Sequence, residues 1–323
     1  MGRYLVRRTL FMVLVLFIIS IFTFLIFMKL PPGDPARRLA GKVTNEQILA
    51  QIRENLGLDQ PLWEQYGRFA KGLIPVPGLW LDENVYYSWS NRQAVSDEIR
   101  QRFPITATLT IGSAILWLLM GIPLGIISAV KRRSVADRAG MIFALIGVSA
   151  PTFWLGLIFL YVFFYILGWA PATGLDIGDS LSQSILSGEF ILPWITLAIT
   201  SAAFYTRIVR GNMLEVLSED YIRTARAKGL SEGRVTYRHA LRASLTPVVT
   251  MLGLDVAGLL GGAVITEQVF SLPGLGKYAI DSLNGLDFPP VMGVTIVAAL
   301  FIVVANLLVD IAYAALDPRV RFT

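Results

Sequence analysis

Few residues in this chain are of a type that does chemistry, and their spacing rules most reactions out. There is no cysteine and a single histidine, His239. Disulfides, thiol catalysis and Cys-ligated metals are therefore excluded, and neither a His-based metal site nor a Ser-His-Asp set has its parts. The stretch 271–279, SLPGLGKYA, comes nearest to a phosphate loop. Such a loop needs Gly, four residues, then Gly-Lys-Ser/Thr, whose hydroxyl meets magnesium. Here Ser271 stands at the first glycine position and Tyr278 replaces the hydroxyl residue. The chain is read as having no catalytic residue, no metal site and no nucleotide site of its own. What remains is two carboxylates inside long apolar stretches, Asp255 and Asp310. Acids at membrane depth are costly, and they mark functional sites by default. A proton relay would show more of them.

Such carboxylates must be held by the elements around them. Hydrophobic residues make up 54% of the chain and charged ones 16%, against about 25% charged in soluble domains. Six stretches reach the roughly 20 residues that cross a hydrocarbon core: 11–28, 105–129, 141–167, 191–208, 245–269 and 291–314. The fold class is an all-α polytopic membrane protein with six transmembrane helices. Pro151 lies inside the third stretch, which is read as one tilted, kinked helix because no polar loop divides it. Asp255, Gly258, Gly262 and Thr266 fall on one stripe of the fifth, and Gly258 with Gly262 makes a GxxxG pattern. Two readings of that stripe stay open: close packing against a neighbouring helix, or the lining of a translocation path. In the second, Asp255 meets either the amino group of a molecule in transit or a water-filled cavity. Asn306 and Asp310 share a face of the sixth helix, where Asp310 is expected to pair with an arginine.

Charge sets the orientation. Arg3, Arg7 and Arg8, the run Lys131-Arg132-Arg133 with Arg138, the loop from Arg207 to Arg242, and Arg319 with Arg321 fall on one side. The positive-inside rule puts that side, and both termini, in the cytoplasm. The membrane accounts for the net charge of +5, so no nucleic-acid partner is read from it. The N-terminus resembles a signal peptide, but its apolar run is too long and no small-x-small cleavage site follows. It is read as a retained span. The expected organisation is a cytoplasmic start and first span (1–30), an external segment (31–104), a core transmembrane domain (105–316) with a cytoplasmic loop at 210–244, and a cytoplasmic tail (317–323). In the external segment, Thr44 is expected to cap a helix over TNEQILAQIRENLGL, Pro61 to open a second, and the aromatic run LWLDENVYYSWS to lie along the membrane surface.

The loop 210–244 is basic and Ala-rich. EDYIRTARAKGL breaks at Gly229, which suits a position just past a helix end, and Ser231 is a plausible cap for a second helix. Two short helices joined at a glycine make a knob, whose small residues Thr224, Ala225 and Ala227 let another protein's surface come close. A basic loop held at anionic membrane lipid explains the arginines, though not this Ala/Gly spacing.

At these residues the sequence resembles the membrane subunits of binding-protein-dependent ABC importers. Their signature of Glu-Ala-Ala, three residues and Gly stands here as Arg223-Thr224-Ala225, three residues and Gly229, followed by Leu245-Thr246-Pro247; the first position is not acidic. DYIRTARAKGL and RHALRASLTPVVT are similar to the dipeptide/oligopeptide branch, and PGDP, LGLDQPLWEQYGRF, SAPTFWLGL, EQVFSLPGLGKY, DFPPVMG and DPRVRF agree with it in order along nearly the whole chain. The resemblance implies a type I importer permease fold in a bacterial or archaeal plasma membrane and a di- or oligopeptide cargo. It also implies a homologous second permease subunit, two cytoplasmic ATPases that bind the ATP and magnesium, and an external substrate-binding protein. Tyr221, Arg223, Thr224, Ala225, Ala227, Lys228, Gly229 and Leu230 would form the ATPase-coupling loop. Glu267, Phe270, Pro273, Gly274 and Gly276 would form an external gate region. The rival class is an ion-coupled secondary transporter or channel, which would show inverted repeats and its own ion site.

Overall fold

Backbone groups in lipid must be paired within the segment that carries them, so long apolar stretches become helices. The computed structural model describes residues 2–29, 34, 36–37, 45–73, 86–171, 175 and 180–316. Helix α1 (Gly2–Phe24) ends in a π-helical stretch, Leu25–Lys29; α2 (Glu46–Leu56) and α3 (Leu62–Lys71) follow, then the long α4 (Val95–Val130). Next come α5 (Val135–Ser149), α6 (Thr152–Phe159, continued as π-helix Leu160–Ile166), α7 (Leu181–Ser187), α8 (Ile191–Leu217) and α9 (Asp220–Ala227). Helix α10 (Glu232–Arg234) runs through a π-helical stretch, Val235–Ala240, into Leu241–Ser244. The chain closes with α11 (Thr246–Leu260), α12 (Val264–Val269), α13 (Leu275–Asn284) and α14 (Phe288–Leu316). Among the described residues four helices are long and apolar enough to span a membrane, or up to six if each of two bent helix pairs is one span.

Two expected spans differ in form. The third is not one tilted helix: α5 and α6 meet at 100°. Ala150 is extended (φ −80°, ψ 121°), as sterics before a proline require, and Pro151 heads a new helix. The fifth stops at Leu260, and Gly262 takes φ +131° before α12 begins. The stripe expected through Asp255, Gly258, Gly262 and Thr266 is therefore broken at Gly262.

Helices α4 and α8 run side by side in the same direction. Small residues let them close: a Cβ on Gly125 would lie 2.6 Å from the Val209 Cβ, and one on Gly121 2.9 Å from the Tyr205 Cβ. Trp117, Tyr205, Val209 and Met213 form the centre of the packing there. Helices α11 and α14 run antiparallel, with Gly253 against Val309 and Gly261 against Ala298.

Each end of the bundle is tied by charge. At the end where α1 starts, Arg8 pairs with Asp310 of α14 at 2.6 Å, as the sequence led us to expect of Asp310. Arg210 of α8 donates to both oxygens of Asp137 on α5, at 2.7 and 3.0 Å. At the opposite end Asn45 caps α2 by accepting from the Gln47 N–H at 2.9 Å; Thr44, the expected cap, lies outside the described residues. Pro61 does stand at the head of α3. Asp34 accepts from Arg53 Nε at 2.7 Å and from the Ala36 N–H at 3.0 Å. Burial raises its pKa, but Arg53, the Ala36 N–H and Arg37 outweigh that and hold the carboxyl below its usual range.

Of the aromatic run, 79–85 lies outside the described residues. Tyr86 does not lie on a surface; it is fully buried, its ring 5.5 Å from that of Phe69. The following turn is pinned by Asp287, which accepts from the Ser88 hydroxyl (2.6 Å) and the N–H groups of Trp89 (2.9 Å) and Ser90 (3.1 Å). Helix α4 starts at Val95 and carries Pro104 inside it, so the expected external segment ends in this helix and not before it. Its 36 residues extend about 54 Å at 1.5 Å per residue, well beyond the roughly 30 Å of a hydrocarbon core.

Candidate functional site

The knob is built as the sequence suggests, except at Ser231 and Ala225. Gly229 takes φ +77°, a conformation glycine reaches without steric cost. Its N–H bonds Arg226 O at 2.9 Å and the Leu230 N–H bonds Ala225 O at 3.3 Å, the paired closure that ends many helices. Arg226 clasps Glu232 across the turn, Nε to Oε1 at 2.8 Å and a second guanidinium nitrogen to Oε2 at 3.2 Å. Ser231 sits at the head of α10, but its side chain makes no capping bond. Ile222 and Val235 are fully buried and belong to the same packed cluster as Val209, Met213 and Val248. The knob is therefore fixed to the bundle and not merely tethered to it.

Tyr221, Arg223, Thr224, Ala227, Lys228 and Gly229 face outward, and Leu230 is half-buried. Nothing lies within 4 Å of where a Gly229 Cβ would stand. Ala225 differs: it points inward and is buried, because it lies three residues on from Ile222 on the same helix face. It cannot be part of an outward contact surface.

The second region is a polar wall between α8 and α11. Tyr205, itself buried, donates its hydroxyl to Asp255 Oδ2 at 2.7 Å. Asp255, Gly258, Thr200, Ser201 and Phe204 line a concavity of about 450 Å³ with it. No atom lies within 4 Å of a Cβ built on Gly258, so within this chain Gly258 opens on space and makes no helix contact. Gly262 instead packs on the backbone of Gly276, and Thr266 is buried. The structure keeps Asp255 with Gly258 and parts them from Gly262 and Thr266.

The third region is a helical hairpin, α12 and α13, at the end opposite the knob. Glu267 is 0% exposed. Its Oε1 accepts from the Thr106 hydroxyl (2.9 Å) and the Ala263 N–H (3.1 Å), and its Oε2 accepts from the Lys277 N–H at 2.8 Å. Thr106 in turn accepts from the Leu275 N–H at 2.9 Å. Every group aimed at the carboxylate donates, so the site is built for an acceptor. Phe270, Pro273, Gly274 and Gly276 are buried around it. The five outer residues thus come together as one latch between the hairpin and α4.

Sequence reading missed Tyr205, Thr106 and the Asp137–Arg210 pair. Each is a polar residue on or beside an apolar span, which was the available signal. Among the described residues no group of three His, Asp or Glu is placed to hold a metal.

The architecture defines a class: an all-α polytopic membrane permease of the type I ABC importer fold. A solved structure of the methionine ABC transporter MetNI in inward-facing conformations matches with a TM-score of 0.55 over 69% of this chain and 97% of that one, at 18% identity. Residues 121–322 match the binding-protein-dependent transport system inner membrane component, and residues 1–110 match the N-terminal part of such membrane components. The glutathione transport system permease protein GsiC of Escherichia coli O6:H1 is 39% identical over 322 residues, and that of Salmonella paratyphi A is 40% identical, each over 100% of both chains. The chain belongs to the family of binding-protein-dependent inner-membrane transport components, on its dipeptide/oligopeptide-like branch. It is a permease subunit of an ABC importer.

Proposed function

We propose that this chain forms half of the translocation path of an importer for short peptides, with glutathione-sized cargo foremost, and that its Gly229 knob seats in a cleft of an ATPase. On this reading the basic end, with both termini, faces the cytoplasm. A homologous second permease subunit completes the path. Two ATP-binding subunits hold ATP and magnesium beneath it, and an external substrate-binding protein delivers cargo to the end that carries α2 and α3. The full-length likeness to permeases named for glutathione transport supports the cargo class.

One observation carries the coupling: an exposed turn, with open space over Gly229, stands on a core continuous with α8. Closure of the ATPases would move the knob, and with it α8 and the Asp255 wall. ATP drives such a change only in so far as it binds one conformation better than the other.

Because the chain has no cysteine, Lys228→Cys supplies a unique thiol. In the assembled complex it is expected to cross-link to an ATPase subunit. A cross-link to lipid alone, or none, would refute the docking. Gly229→Trp is expected to abolish ATP-driven uptake of labelled glutathione into proteoliposomes. Gly229→Asn, which tolerates positive φ, should retain most of it. Equal loss in both would mean that the turn, and not the fit in a cleft, is what matters.

A further inference from the structure

We infer that Asp255, held by Tyr205, is a subsite for the α-ammonium group of the peptide in transit; this rests on the peptide-importer reading above. Asp255 is the tenth residue of α11, about 14 Å from its start at 1.5 Å per residue, within a bent helix pair long and apolar enough to span a membrane. A carboxylate inside a span is costly unless something pairs or hydrates it. Its sole partner among the described residues is the Tyr205 hydroxyl on Oδ2, and no Lys, Arg or His forms an ion pair with it. One hydrogen bond from the phenol orients the group through Oδ2 and leaves Oδ1 without a hydrogen-bond partner among the described residues, open to a donor on a visitor.

The surroundings select the visitor's chemistry. Residues Thr200, Ser201, Phe204 and Tyr205 present one face of α8, and Leu254, Asp255, Gly258 and Leu259 present one face of α11, across the same concavity. The Thr200 hydroxyl donates to Leu197 O at 3.0 Å, so its oxygen offers lone pairs to the concavity. A carboxylate that shares its concavity with the Thr200 oxygen suits an ammonium group, which has only donors. A metal ion would need further carboxylate or imidazole ligands, and no such group exists among the described residues. Open space over Gly258 admits the peptide backbone. The volume of about 450 Å³ lies within the usual 300–1,000 Å³ for small-molecule sites.

The test uses the permease complex with its partner permease and ATPases but without the binding protein, whose own selectivity would otherwise intervene. Saturation-transfer NMR compares binding of glutathione with that of its N-acetylated form. The wild-type complex is expected to favour free glutathione by about tenfold. Asp255→Asn, which can still accept from Tyr205, should bring the two within about twofold by weakening glutathione alone. An unchanged ratio in Asp255→Asn, or equal weakening of both ligands, overturns the subsite. Loss of uptake of every peptide by the wild-type complex with its binding protein overturns the peptide-importer reading as well.

Discussion

Gly274 has no room to become alanine. A Cβ there would lie 2.4 Å from Glu267 Cδ, and that carboxylate cannot step aside without releasing Thr106, Ala263 and Lys277. Gly274→Ala is therefore expected to destabilise the purified protein by about 1–3 kcal/mol, the usual range for overpacking, read as a lower midpoint of thermal unfolding in detergent. Gly233→Ala is the control. It lies in α10 with nothing within 4 Å of the added carbon, and the helix preference for alanine should leave the midpoint unchanged or slightly raised. A midpoint for Gly274→Ala equal to wild type would show that Glu267 is not held as rigidly as its bonds imply. At this scale the sequence was partly legible. EQVFSLPGLGKY marked the right residues, since glycines and a proline beside an acid stand out in an apolar chain. Thr106, the group that receives the acid, lies 161 positions away, and no local pattern joins them.

Hydropathy located the elements because it records burial in lipid, and it records nothing of direction. The stretch 141–167 is apolar throughout, so the 100° turn at Ala150–Pro151 could be argued only from the proline, which a membrane helix also tolerates. Gly262 hid its turn in the same way, inside a GxxxG pattern that suggested an unbroken helix. The junction of α5 and α8 was less visible still. Asp137 accepts from Arg210 through both oxygens and from the Arg133 N–H at 2.8 Å. It lies seventy-three positions from its arginine. Asp137→Ala is expected to cost about 2 kcal/mol, within the range for bonds to charged groups, since Arg210 keeps some contact with solvent. The double variant Asp137→Ala/Arg210→Ala should cost less than the two single changes summed, measured by denaturant unfolding. Strict additivity would mean that the pair is formed without mutual benefit.

The stretch nearest to a phosphate loop, at Lys277, lacks the first glycine and the hydroxyl residue and lies at the opposite end of the bundle from the knob. The purified chain is expected neither to bind nor to hydrolyse ATP, by equilibrium dialysis and phosphate release. Hydrolysis that disappears in Lys277→Ala would overturn the division of labour with partner ATPases. Tyr205 bears on that division in another way. Its ring is packed in the cluster that also holds Ile222 and Val235 of the knob, while its hydroxyl holds Asp255. Helix α8, on which it sits, is a single unbroken rod of 27 residues, about 39 Å from end to end. A rod fixed at one end works as an oar: tilting it about 5° sweeps the far tip through about 3 Å. The helix is continuous between the handle near Met213 and the blade near Trp194, so a stroke of the kind proposed above would arrive at the far tip at once and in proportion.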